Sequence, residues 1–462
     1  MTTSSMINFN LIKRYDKSGP RYTSYPTAVM FHDQFKANNY IQIAKQSNQN
    51  LSPLSLYFHI PFCDTVCFYC ACNKIVTKDY SKADKYLDYL YREIEMQSVL
   101  YSSKRVVKQL HFGGGTPTFL SSKQIQQLML KIGQHFNLAP TKQAEFSIEI
   151  DPRSVDSEKI NQLCQMGFNR FSLGVQDINL DVQKAVNRVQ SLEETNEIVT
   201  ACRRNQVKSI SIDLIYGLPL QTTESFNQTL KQVIKTLSPD RLSIFNYAHL
   251  PTLFKPQRRI NEDDLPSAAE KLKILAQSMQ QLHQAGYVYI GMDHFAKPDD
   301  ELALAQKNGQ LHRNFQGYTT HAACDLIAMG VSAISSVHHS YSQNSKDIND
   351  YYEQLDHQQL PIIKGLVLTA DDVMRRQIIQ QLSCHFKLNF LKIENDYQIV
   401  FKTVFKKELA ALQPMIEDRL VSIHEQQLIV SDMGRFLIRN ICMIFDKYLE
   451  NKESINKFSK LI

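Results

Sequence analysis

The sequence has no long apolar run. Its most apolar stretch, Leu326 to Val337, falls well short of the roughly 20 residues a membrane helix needs. Ser332, Ser335 and Ser336 interrupt it, so a membrane span is excluded. An early basic cluster followed by an apolar run is also missing. Met1 to Asn10 is polar, no cleavable signal is expected, and the cytoplasm is the expected compartment. Repeats and low-complexity tracts are not evident. Blocks of like charge do not exceed small groups such as Arg203–Arg204 and Lys406–Lys407, which read as solvated surface. The net charge of +6 over 462 residues is a mild excess. It permits an anionic ligand and does not require nucleic acid. With 43% hydrophobic and 21% charged residues, disorder of the whole chain is excluded. The length suits about two to four structural units.

Cysteine is the informative presence. There are nine, an odd count in a long chain with no secretion signal, which argues against a disulfide framework. Cys164, Cys202, Cys324, Cys384 and Cys442 stand singly, mostly among apolar neighbours, and read as small core residues. The other four crowd into Cys63-x3-Cys67-x2-Cys70-x-Cys72, on a loop marked as exposed by Asp64, Thr65 and Asn73. Three thiolates this close can bind separate irons of one [4Fe–4S] cluster. The last iron then keeps an open position, which is what separates catalytic from structural metal sites. A structural zinc site using all four cysteines is the competing use. Zinc ligands usually form two well-separated pairs, so the crowding favours iron–sulfur without excluding zinc.

From residue 54 onward, strand and helix signals alternate. Strands are expected at Leu54 to Ile60, Val106 to Phe112, Phe146 to Ile150, Arg170 to Val175, Ser209 to Tyr216 and Arg241 to Tyr247. Helices are expected around Tyr86 to Ile94 and at Ile125 to Phe136, Glu158 to Met166, Leu192 to Arg204, Phe226 to Leu237 and Ala268 to Gln284. Six such units argue for a parallel sheet with right-handed crossovers, either an incomplete barrel or an open sheet. In both, ligands sit at the carboxyl ends of the strands. That rim collects the cysteine cluster, Gly113-Gly114-Gly115-Thr116-Pro117, Glu149, Asp151, Gln176, Asp177, Tyr216-Gly217-Leu218-Pro219 and Asn246 to His249. Past about residue 365 the pattern becomes mixed helices. A strand pair around Glu425-Gln426 and a helix at Arg435 to Leu449 suggest a winged-helix-like unit. The segment is not notably basic, so packing or lid duty is expected rather than DNA binding.

Cys-x3-Cys-x2-Cys after the first strand resembles the signature of the radical S-adenosylmethionine (SAM) superfamily, and Gly113 to Pro117 resembles the loop that there holds the SAM amino group. Ordered motifs carry the resemblance further. Among them are Pro20 to Thr27, His59-Ile60-Pro61-Phe62-Cys63, Cys70 to Lys74, Ile148 to Arg153, Gly174 to Asp177, Asn187-Arg188, Ile212 to Pro219 and Asn246 to Pro251. Gly291 to Phe295, Asn314 to Thr320 and Gly330 to Ser335 close the series. Together they resemble the oxygen-independent coproporphyrinogen III oxidase family. The resemblance implies an α/β fold, an incomplete (βα)6 barrel of radical SAM type with a mostly helical, winged-helix-like C-terminal domain. The expected segments are 1–52, an N-terminal extension or lid; 53–300, the catalytic domain; 301–365, a connecting segment completing the site; and 366–462, the C-terminal domain.

The resemblance also implies a [4Fe–4S] cluster on Cys63, Cys67 and Cys70, with Cys72 as a nearby non-ligating cysteine, and two SAM molecules. Tyr57, Gly114, Glu149 and Ile334 match positions contacting the first SAM. Tyr69, Gly115, Thr116, Gln176, Arg188, Asp213 and Ala248 match positions contacting the second. Tyr69 stands where phenylalanine is expected in relatives. Arg188 suits a methionine carboxylate through a bidentate fork. The implied reaction takes a hydrogen from a propionate β-carbon through a 5′-deoxyadenosyl radical and releases carbon dioxide. Coproporphyrinogen III thus becomes protoporphyrinogen IX, with an external electron donor and acceptor, in a chain expected to be monomeric. Arg21, Arg170 and Arg241 are candidate anchors for the substrate carboxylates. The alternative reading is a haem-binding relative of the same superfamily without oxidase activity. Such relatives usually lack the Tyr22 to Pro26 stretch and Cys72, both present here. A zinc-stabilised nucleic-acid binder is the reading from another class.

Overall fold

The apolar runs become strands of one sheet: β1 (Leu54–Ile60), β2 (Val106–Gly114), β3 (Glu145–Ile150), β4 (Arg170–Gln176), β5 (Ser209–Tyr216) and β6 (Arg241–Asn246). The computed structural model describes residues 9–449. The extremes of the expected 1–52 and 366–462 segments, residues 1–8 and 450–462, lie outside the described residues. Helices α1 (Ser81–Ser98), α2 (Ser122–His135), α3 (Ser157–Gln165), α4 (Leu192–Arg204) and α5 (Thr223–Gln232) follow the first five strands in turn. Neighbours from β1 to β6 pair in parallel and in sequence order. Sequential order with right-handed crossovers winds the helices onto one face. A doubly wound sheet would reverse direction part-way. Four more strands extend the sheet beyond β1: β7 (Asp325–Met329), β8 (Ile334–Val337), β9 (Ser340–Asn344) and β10 (Ile362–Val367). β7 is parallel to β1 and the last three are antiparallel. Among the described residues no pairing joins β6 to β10, so the barrel is incomplete. Four strands of the sheet thus lie within residues 325–367, which overlap the expected 301–365 segment, and α6 (Ile348–Asp356) lies between the last two.

The strands sort their two faces by side chain. Along β3, β4 and β5 buried and half-buried positions alternate. The buried set is apolar: Phe146, Ile148, Ile150, Phe171, Leu173, Val175, Ile210, Ile212 and Leu214. The other set is small or polar apart from Ile215: Ser147, Glu149, Ser172, Gly174, Gln176, Ser211 and Asp213. A parallel strand packed on both faces reads as continuously apolar, so this alternation marks one face as the lining of a polar interior. In the apolar layer Phe58, Phe112 and Phe168 meet edge to face at 5.3 and 5.2 Å. Each such pair adds about 0.5–1.5 kcal/mol beyond its buried area. Ser121, Ser191 and Thr222 cap α2, α4 and α5 with capping boxes, worth about 1 kcal/mol each.

The chain divides into two compact units. One is Phe31–Pro266 with Ala323–Val367, which contains the sheet just described. The other comprises the described parts of Met1–Met30, Ser267–Ala322 and Leu368–Ile462. The helix Ala268–Gln284 forms at its expected bounds and falls in this second unit. The hairpin expected around Glu425 forms from Val421–His424 and Gln427–Val430, and Lys387–Asn389 pairs with its second strand. The helix expected over 435–449 is instead two, Asp432–Phe436 and Ile438–Ile444. Gly434 lies so close to the Leu420 carbonyl that no Cβ would fit there. Within this unit Tyr22 donates to Asp446 Oδ2 at 3.0 Å, and the Lys447 amide donates to the Tyr25 hydroxyl at 3.3 Å. No helix among the described residues is long and apolar enough to cross a membrane.

Candidate functional site

β1 leads directly into the cysteine loop. Phe62–Cys63 pairs with Ile75–Val76 and closes the loop at its base. The glycine run packs against the same stretch: the Gly115 amide donates to the Ile60 carbonyl at 2.8 Å and the Thr116 amide to that of Phe62 at 2.7 Å. A Cβ on Gly115 would lie 2.7 Å from the Phe62 oxygen, and one on Gly114, whose φ is +119°, 2.8 Å from the His59 ring. Only glycine permits this approach. Thr116 Oγ1 donates to Cys63 Sγ at 3.4 Å. From the other side, Asn187 Nδ2 donates to the Val66 carbonyl at 2.8 Å and the Phe68 amide to that of Val186 at 2.9 Å. The next residue, Arg188, thereby reaches Cys67, with Nη1 3.5 Å from Sγ. Arg153 Nη2 approaches the same sulfur at 3.7 Å.

Asp151 braces both arginines. Its Oδ2 accepts from Arg153 Nη2 at 2.6 Å and from Arg188 Nη1 at 3.0 Å. Burial pushes the carboxyl up, but the two guanidiniums outweigh it and hold it below the usual carboxylate range. Arg188 Nη2 donates to the Gly174 carbonyl at 2.5 Å. Its Nε has no partner, although the residue is only 6% exposed. A buried, unmatched donor at the carboxyl ends of the strands is the expected trace of an anionic ligand. The Cys72 thiol, hydrogen-bonded to Cys70, holds the latter down to about 5 against burial, with Lys74 assisting. Burial pushes the Cys63 thiol up to about 11. No three His, Cys, Asp or Glu side chains among the described residues converge as a single-ion site. A cluster takes its thiolates at separate corners. Three thiols on one closed loop, each receiving a hydrogen bond at sulfur, fit such a group.

The remaining expected residues stand around this loop. Glu149 Oε2 accepts from the Gly114 amide at 3.1 Å, and its Oε1 lies 3.3 Å from His111 Nε2. Burial pushes this carboxyl up, and His111 and the Gly114 amide bring it below its ordinary value. The Tyr57 ring stacks on His111 with centroids 5.7 Å apart, and its hydroxyl is 3.2 Å from His59 Nδ1. Gln176 has φ +68° where the β4–β5 register shifts, a local kink that re-aims its side chain. Asp213 accepts from Ser172 Oγ at 3.1 Å, and burial pushes its carboxyl up to about 6. Gln257 Nε2 donates to the carbonyls of Tyr69 at 3.0 Å and Ala248 at 3.3 Å, which ties these two loops together. Ile334 opens β8. The registers Tyr57–Ala328 and Leu326–Ser336 set it across β7 at the level of Tyr57.

Every expected site residue thus falls in the sheet-bearing unit. Two of the candidate substrate anchors, Arg170 and Arg241, belong to the same unit but stand away from its ligand rim. Arg170 and Arg241 open β4 and β6 at their amino ends, opposite the ligand rim. Arg170 is buried, 3.7 Å from Glu145 and 2.7 Å from Asn169 Oδ1. Arg21 belongs to the other unit. His111 and Gln257 stand outside every motif of the sequence, and His59, Arg153 and Asn187 fall within motifs without a role of their own. A polar ring inside an apolar strand could have marked the two histidines. No local pattern marks Gln257, which acts from a distant turn.

The model of the radical SAM superfamily matches residues 57–233, and that of the HemN C-terminal domain matches residues 368–437. The oxygen-independent coproporphyrinogen III oxidase of Pseudomonas aeruginosa is 53% identical over 453 residues, covering 98% of each chain. That of Escherichia coli is 49% identical over 452 residues, again covering 98% of each. The solved structure of coproporphyrinogen III oxidase (HemN) from Escherichia coli, a radical SAM enzyme, matches with a TM-score of 0.91 at 48% identity, covering 96% of this chain and 99% of that one.

Proposed function

The chain belongs to the oxygen-independent coproporphyrinogen III oxidase family, and from that footing we propose that it converts coproporphyrinogen III to protoporphyrinogen IX in haem synthesis. Two propionate side chains are oxidatively decarboxylated to vinyl groups. Each loses one hydrogen atom and one carbon dioxide and leaves one electron for an external acceptor. The observation that carries this reading is the convergence of the three-cysteine loop, the glycine run and an arginine with an unmatched Nε at the carboxyl ends of the strands. As a radical SAM enzyme it uses a [4Fe–4S] cluster and SAM, which supply reductive cleavage of the sulfonium and hence hydrogen-atom abstraction.

Cys63, Cys67 and Cys70 hold the cluster, and Cys72 stands beside Cys70 without ligating. Tyr57, Gly114, Glu149 and Ile334 bind one SAM. Glu149, fixed by the Gly114 amide and His111, is placed to accept hydrogen bonds from a cationic amino group. Tyr69, Gly115, Thr116, Gln176, Arg188, Asp213 and Ala248 bind a second. Nη1 of Arg188 serves Asp151 and Cys67 and Nη2 gives one N–H to Gly174, so Nε and the second Nη2 N–H are the donors left for a carboxylate. Ser147, Ser172, Gly174 and Ser211 keep the interior face short enough to admit ligands. The functional segments 1–52, 53–300, 301–365 and 366–462 belong to the same proposal. So does a monomeric cytoplasmic enzyme with a separate electron donor and acceptor and no nucleic-acid or membrane partner. The test is anaerobic incubation of the reduced holoprotein with SAM and coproporphyrinogen III, followed by product mass. Loss of two carboxyl groups per molecule is expected. Unchanged substrate with an intact cluster contradicts the reading.

A further inference from the structure

We infer that Arg153, braced by Asp151, sets the reduction potential of the cluster by donating to the sulfur of Cys67. The inference rests on the reading of Cys67 as a cluster ligand. Arg153 is fixed by its own neighbourhood in sequence. Its amide and Nε donate to Asp151 Oδ1 at 3.1 and 3.0 Å, and Nη2 donates to Oδ2 at 2.6 Å. Asp151, Pro152 and Arg153 form the start of a short 3-10 turn capped by Asp151. Proline's fixed φ holds this turn in place. A carboxylate-bound arginine needs nothing more for its fold. Yet the same Nη2 also lies 3.7 Å from Cys67 Sγ, which Arg188 Nη1 approaches at 3.5 Å.

The charge count decides what this does. Two guanidiniums and one carboxylate leave one net positive charge against a sulfur whose residue is 8% exposed. Cys63, by contrast, receives one neutral hydroxyl bond from Thr116. Cys70 has the Lys74 ammonium nearby, 3.1 Å from its carbonyl, so Cys67 is the corner whose sulfur is met by two guanidiniums. An electron added to the cluster makes it more negative, and N–H···S bonds and nearby positive charge favour that form. Arg188 divides its donors among Asp151, Gly174 and the sulfur. Arg153 serves only Asp151 and the sulfur, so its removal changes the cluster's surroundings with the least disturbance elsewhere. It is a positioning residue for charge and not one that touches substrate.

The test is a redox titration of anaerobically purified holoprotein, followed by EPR of the reduced cluster, with iron and sulfide contents matched. Arg153→Gln is expected to keep the cluster and lower its midpoint, so that reduction by a given donor becomes about tenfold less favourable, or about 59 mV for one electron. Arg153→Lys retains the charge without the fork and is expected to recover part of that shift. Equal midpoints for the wild type and Arg153→Gln overturn the inference. If Arg153→Gln does not retain its cluster, pulsed EPR of the wild type with guanidino-15N-arginine decides. Two distinct nitrogen couplings are expected, and one or none overturns the inference. A wild type with no [4Fe–4S] signal would instead sink the reading of Cys67 itself.

Discussion

Two arginine–carboxylate sites stand at opposite ends of the same sheet and are built differently. At the amino ends, the Arg105 side chain is fully buried and every branch is used. Nε donates to the Ser52 carbonyl at 2.6 Å, Nη1 to Ser47 Oγ at 2.8 Å and Nη2 to Asp325 Oδ2 at 2.5 Å. It fastens the start of β2 to the start of β7. At the carboxyl ends, Arg188 divides one branch between Asp151 and a sulfur and leaves Nε unmatched. Both arginines pay a desolvation cost. The first recovers it within the fold, and the second recovers all of it only with a ligand bound. Burial of a charged pair therefore does not by itself mark function; what sets Arg188 apart is an unmatched donor at the carboxyl ends of the strands.

The contrast is broken most severely at the ligand end. Cys67→Ala is expected to abolish cluster assembly and turnover, with iron absent by metal analysis, while the circular dichroism of the apo-protein stays that of the wild type. Arg105→Ala should do the reverse. It leaves Asp325 with the His338 amide but no counter-charge, and should lower stability by about 3 kcal/mol, read from the urea midpoint.

A subtler effect lies at Asp213. Its folded value of about 6 is above the ordinary value of about 3.9. Its stabilising contribution is thus complete below pH 4 and lost as pH rises through 6. Asp213→Asn should make the apo-protein more stable than wild type at pH 7, by about 1–3 kcal/mol. The two should match at pH 4, and equal unfolding midpoints at both pH values would contradict this. The smallest effect is expected from Cys72→Ala, which should leave the cluster intact. A bleached protein would show the ligand triad to be wrong.

Much of this was legible in the chain because strands in a singly wound sheet follow one another in space as they do in sequence. The bounds of β1 and β5 and of α4 fall where apolar spacing puts them. The cysteine and glycine loops were legible because local spacing builds them. β8 and β9 were not. β9 is Ser340–Asn344, buried at every position yet mostly polar, and has no apolar period to read. Glu93 shows a reason for that polarity. Wholly buried on α1, it accepts from the Asn344 side chain at 2.7 Å and from the Gly330 amide at 2.7 Å, an arrangement visible only once the chain is folded. Gln257 escaped for the same reason, since it ties the nearby Ala248 carbonyl to that of Tyr69, far away in the sequence. Arg170 and Arg241 were misread as substrate anchors because a strand's first residue and its last look alike in sequence and face opposite ends of the sheet.

The central claim is that three cysteines leave one iron free to hold SAM. Electron–nuclear double resonance on the reduced holoprotein, with SAM labelled at its amino nitrogen and carboxylate oxygen, tests it most directly. Strong coupling from both labels is the predicted result. A spectrum indifferent to SAM, from a cluster with a protein ligand at every iron, would contradict the account.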